Sequence, residues 1–108
     1  CSVHFHKNKK ESFYVTKGKM FLKLFKPDNN EIKILDDFDG VNLSEDLLSI
    51  LQKFDSSPWE YTLEEGEFRT IDTYTLHTFS SVSNTNCEFI EASSHHEDSD
   101  SYRLRKSI

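Results

Sequence analysis

The stretch Ser2-Val3-His4-Phe5-His6 alternates in residue type, and it belongs to a chain of short β-forming runs divided by turn residues. In a strand, His4 and His6 then share one face and Val3 and Phe5 the other. Glu11 to Thr16 and Met20 to Phe25 are rich in β-formers. Between them Lys17-Gly18-Lys19 is a turn in which Gly18 supplies a positive φ. Pro27-Asp28-Asn29-Asn30 reads as a further turn, and Glu31 to Leu35 as a short returning strand. Trp59 to Leu63, Phe68 to Ile71, Leu76 to Val82 and Cys87 to Ser93 complete the strands, with turns at Glu64-Glu65-Gly66, 72–75 and 83–86. One segment has helical spacing. Ser44 caps it, Glu45 and Asp46 fill its first turn, and Leu47, Leu48, Leu51 and Phe54 form its apolar stripe. The expectation is an all-β barrel or sandwich over 1–108, with an inserted loop and helix at 36–58 and a polar tail at 94–108.

With 108 residues the chain is long enough for one domain, near the lower limit for a core without staples. Only 35% of the residues are apolar, but nine are Phe, and a few large rings fill a small barrel efficiently. The net charge of −6 and the lack of a basic stripe argue against nucleic acid and against an anionic membrane surface. No apolar run approaches the ~20 residues of a membrane helix, and no signal peptide is visible. Cys1 and Cys87 form no disulfide framework, so a reducing, cytoplasmic setting is expected.

The chemistry lies in His4-x-His6, followed by Glu11 and Gly18. Two His at alternate strand positions point to one side, and a short turn brings Glu11 alongside. Two neutral imidazoles and a carboxylate then bind one divalent ion. His77, on a strand that follows a turn, is the candidate fourth ligand. The competing reading makes His4 and His6 exposed residues of an edge strand, and gives His77 no role.

This spacing resembles the two motifs of the cupin superfamily. The first runs Gly, five residues, His-x-His, three or four residues, Glu, six residues, Gly; His4, His6, Glu11 and Gly18 match it. The second runs Gly, five residues, Pro-x-Gly, two residues, His, three residues, Asn. Gly66 and His77 match it, while Asp72, Tyr74 and Ser81 replace its Pro, Gly and Asn, so the turn before His77 is expected to be reshaped. The resemblance covers Ser2 to about Arg103. It implies a double-stranded β-helix (jelly-roll) barrel holding zinc, manganese, nickel, cobalt or iron. Strands that normally precede the His-x-His strand in cupins are missing here, which implies a truncated chain, an open edge and a homodimer that covers it.

The tail from Glu91 to Arg103 is similar to the end of a subgroup of small cupins, and more loosely to the cupin domain of type II mannose-6-phosphate isomerases. That likeness implies a sugar or sugar-phosphate ligand, with Arg103 on a phosphate or carboxylate and Glu91 moving a proton near the metal. Tyr14 and Tyr74 are candidates to reach the cavity, Tyr14 as a substrate contact. The plainer reading of the tail is a solvated face or a strap over the barrel end, with Arg103 paired to Asp98 or Asp100. His95 and His96 are neighbours on an extended chain and chelate poorly. The function expected is metal-dependent isomerisation or epimerisation of a sugar or sugar phosphate. A non-catalytic metal- or carbohydrate-binding module and an iron-dependent dioxygenase are the alternatives.

Overall fold

A computed structural model of the chain describes residues 3–81, 87–94 and 100–105. Strands β1 (Val3–Phe5), β2 (Glu11–Lys17) and β3 (Met20–Phe25) come first. Helices α1 (Asn29–Asp36) and α2 (Glu45–Ser56) follow. Then come β4 (Trp59–Leu63), β5 (Phe68–Ile71), β6 (Leu76–Ser81), β7 (Glu88–Ser93) and β8 (Tyr102–Arg105). One sheet has the order β4-β3-β6-β1-β8 and the other β5-β2-β7, and every pairing is antiparallel. The fold is thus β-rich, as the turn-punctuated pattern implied. None of the described helices is long and apolar enough to cross a membrane.

Period-two alternation decides which residues meet. Phe13 and Val15 of β2 and Ile71 of β5 face Met20, Leu22, Leu24 and Leu63 of the larger sheet. Phe79 and Phe89 pack against Phe13, so a small aromatic cluster joins the sheets. The opposite face of the larger sheet is apolar at β1, β6 and β8, while Phe21 and Lys23 of β3 leave it exposed at the other end. Val3, Phe5, Leu76 and Leu104 meet Leu35, Phe38, Leu47, Ile50 and Phe54 there, which puts both helices on the outside of that sheet. The outer face of the smaller sheet is uncovered. Phe68, Tyr14 and Ile90 form an exposed row across its strands.

Three expectations change. Glu31 to Leu35 belongs to helix α1, not to a strand. Asp28 and Glu31 form a reciprocal capping box, in which the Asp28 carboxylate accepts the Glu31 N–H at 2.8 Å and Glu31 accepts the Asp28 N–H at 3.0 Å. The β-branched Ile32 and Ile34 suggested a strand, but the cap and the burial of Leu35 outweigh that local preference. In α2 the buried stripe is Leu47, Ile50 and Phe54, whereas Leu48 is exposed. The tail also contains a strand. In β8, Tyr102 and Leu104 face the helices, and the strand pairs with β1. Trp59 and Phe68 are exposed, and Tyr61 is half-buried. Cys1, Val82, the turn at 83–86, His95, His96 and Asp98 lie outside the described residues.

Replacing Asp28 by Ala removes a helix cap and is expected to cost about 1 kcal/mol in urea unfolding. Ile50→Ala should cost about 2–5 kcal/mol, while Leu48→Ala should stay within about 0.5 kcal/mol. Equal losses at 48 and 50 would contradict the helix orientation.

Candidate metal centre

His4 lies on β1, His6 just after it, Glu11 at the start of β2 and His77 on β6. Register brings His4 opposite His77, on the face of the larger sheet turned toward the smaller one. Glu11 points at them from that smaller sheet, because its neighbours Phe13 and Val15 use the same face in the inter-sheet core. The ring centroids of His4 and His77 are 4.2 Å apart, and His6 lies 5.1 Å from His4 and 5.2 Å from His77. One donor atom from each of the four residues lies within 4.8 Å of all the others. Donors around one ion at ~2.1 Å stand at most ~4.2 Å apart. The set is close to that spacing, and side-chain adjustment, including a longer His6–Glu11 separation, would close it on one ion.

The hydrogen bonds fix which nitrogens face the centre. Nδ1 of His6 bonds the Asp100 carbonyl at 2.7 Å, and Nδ1 of His77 bonds the Thr75 carbonyl at 2.9 Å. A carbonyl only accepts, so both Nδ1 atoms carry protons. In a neutral ring the Nε2 atom then presents a lone pair. Both Nε2 atoms point at Glu11 Oε1, in close contact from His6 and at 3.3 Å from His77. None of these three atoms has a hydrogen-bond partner, and their side chains are almost wholly buried. Three converging lone pairs without a proton are unfavourable. A divalent cation resolves the arrangement, as a proton on a ring would in its absence, and Nδ1-to-carbonyl bonds are the usual outer support of metal-ligating imidazoles. These residues therefore fit a metal ion, and they suit zinc, manganese, nickel, cobalt or iron alike.

Burial opposes ionisation of Glu11, but in the metal-free protein hydrogen bonds from His6 and His77, which require a proton on Nε2, and the contact with Glu91 outweigh this and hold the carboxylate well below the usual range. Glu91 shows the opposite effect. A hydrogen bond with Glu11, then burial, then the Glu11 charge push its carboxyl up to about 7. Glu91 lies on β7 opposite Phe13, on the inward face, yet its side chain is exposed, which places it at the rim. Arg103 pairs with His4 across β1 and β8, so the two residues share a face. It too is exposed. The structure does not bring Tyr14 to this group. It sits on the outer face of β2, turned away from Glu11. Tyr74 is also elsewhere, stacked on Phe5 with its hydroxyl donating to Asp36 at 2.7 Å.

Tyr74 supports the centre in another way. Its φ is +61°, which is strained for a residue with a Cβ. Its N–H donates to the His6 carbonyl at 2.7 Å, tying the turn before His77 to the chain at His6. Sequence reasoning offered Asp100 only as a partner for Arg103 and missed that its carbonyl orients His6. It was one acidic residue in a run of them, and nothing in the local sequence separated it from the rest. No protein-family model matches the chain, and a search of curated proteins finds no match.

The raised Glu91 value has a consequence for pH. The unfolded chain gives this carboxyl its usual value near 4.5, and the folded protein about 7. Its contribution to folding is therefore fully present below about 4.5 and lost as pH rises through about 7. In metal-free protein, Glu91→Gln should gain stability relative to the wild type as pH rises across that window. Solvent at the exposed rim limits the gain to no more than about 1 kcal/mol. Thermal melts of both proteins at several pH values check this, and a pH-independent difference would contradict it.

Proposed function

We propose that this protein is a metal-binding barrel of the cupin type, acting on a sugar or sugar phosphate by isomerase or epimerase chemistry. The observation that carries the reading is the convergence of His6 Nε2, His77 Nε2 and Glu11 Oε1 on one buried point, with His4 beside them. The order of the donors supports the cupin assignment: a His-x-His strand, a Glu on the next strand, and a later His. Gly66 and Tyr74 support it as well, since both take positive φ at the two Gly positions of the second motif.

A divalent ion held here supplies Lewis-acid polarisation of a substrate carbonyl. The chain's own residues supply the rest. Glu91, exposed at the rim on the inward-facing side of β7, is placed to take a proton from one carbon and return it to the neighbouring one. Glu11 is committed to the centre, so it does not compete for that role. Arg103, beside His4, offers a planar fork of donors to a phosphate or carboxylate on the substrate. The exposed row of Phe68, Tyr14 and Ile90 supports a homodimer.

Metal analysis of purified protein should find about one divalent ion per chain, and chelation should lower the melting temperature. At ~100 times its Kd the ion adds ~2.7 kcal/mol. His77→Ala should abolish that gain. A screen of sugar phosphates with and without chelator then tests the chemistry. Metal-dependent interconversion lost in Glu91→Gln supports the enzyme. Bound metal without turnover would overturn it in favour of a binding module, the reading that the altered second motif favours. A protein that binds no ion would remove the whole proposal.

A further inference from the structure

Asp100 is buried to 2% exposure, just before β8. Its carboxylate takes the N–H of Lys7 at 2.8 Å on one oxygen and the N–H of Asn8 at 2.9 Å on the other. The Asn8 side-chain amide adds a longer bond of 3.4 Å. Lys7 and Asn8 lie in the link between the strand that carries His4 and the strand that carries Glu11. The carbonyl of the same Asp100 accepts the His6 Nδ1–H at 2.7 Å. One residue from the far end of the sequence thus grips the loop between the ligand strands and sets the tautomer of a ligand. Its own strand then pairs with β1 through Tyr102 opposite Phe5 and Arg103 opposite His4.

We propose that Asp100 is a positioning residue for the metal centre, and that docking of the C-terminal strand and metal binding are cooperative. The inference rests on the metal reading above. The physical argument is linkage. The Asp100 carbonyl favours the tautomer and ring orientation in which His6 presents its Nε2 lone pair to the ion. That carbonyl stays in place only while the Asp100 carboxylate holds Lys7 and Asn8. Whatever orders this contact raises metal affinity, and the metal in turn orders the contact by the same factor. Asn at this position keeps the size but replaces one acceptor with an NH2 group that faces a backbone N–H.

The test measures the zinc Kd by competition with a chromophoric chelator, for the wild type, Asp100→Asn and Glu31→Gln. Glu31 is a buried carboxylate that caps α1 and bonds Lys53 at 3.0 Å, so Glu31→Gln controls for lost stability alone. The expected result is a Kd about 10-fold or more weaker in Asp100→Asn and unchanged in Glu31→Gln. Hydrogen exchange should also show zinc slowing the Lys7 and Asn8 amides in the wild type, and less so in Asp100→Asn. If the wild type binds zinc and Asp100→Asn binds it within twofold, the inference fails and the metal reading stands. Equal weakening in both variants also overturns it, since the role is then merely structural. A wild type that binds no zinc, manganese, nickel, cobalt or iron ends both.

Discussion

The contact between two imidazole lone pairs and a buried carboxylate is unfavourable unless a positive charge joins it. His6 and His77 approach Glu11 from the larger sheet, while Glu11 projects from the smaller one. Both rings are held from behind by backbone carbonyls, so neither can turn to place a proton between itself and the carboxylate without losing that bond. The remaining architecture keeps these groups in place. The aromatic cluster of Phe13, Phe79 and Phe89 holds the sheets together beside the centre. The N–H of Tyr74 fixes the chain at the His6 carbonyl, and the carboxylate of Asp100 fixes the two residues that follow.

Where β1, β6 and β8 meet the helices the larger sheet is buried on both faces, which is demanding for a chain with few apolar residues. One strand shows how it is achieved. In β1, Val3 and Phe5 serve the helix-side core while His4 serves the centre. The helices are therefore part of the core. Without α1 and α2, Phe5, Leu76 and Leu104 would face water. The capping box of α1 and the Ser44 cap of α2 stabilise short helices whose intrinsic stability is marginal. Lys7 ties this layer to β1, since its ammonium donates to the carbonyls of Asp36 and Phe38 and lies 4.2 Å from the Tyr102 ring centroid.

The centre also joins distant parts of the sequence. His4 and His6 stand near residue 77 and near residues 100–103 because β1 lies between β6 and β8. Such long-range pairings cost loop-closure entropy that only the assembled sheets offset. The rim reflects the same layout. Glu91 and Arg103 are remote from the His-x-His strand in sequence, yet both stand on inward faces beside it.

Sequence alone determined the strand alternation, the helix at Ser44 and the grouping of His4, His6 and Glu11. Each of these depends on spacing within a few residues, where backbone geometry leaves little choice. It also pointed to His77 through the turn that precedes it. It misread Glu31 to Leu35, because Ile32 and Ile34 alternate as a strand does while the capping box that makes the segment helical is a pair of side-chain bonds. It misjudged Leu48, because two helical stripes were available and only packing against the sheet selects between them. Tyr14 looked able to reach the cavity, but the register of β2 turns it to the opposite face. The role of Asp100 was decided by tertiary structure alone, since its partners lie more than ninety residues away along the chain.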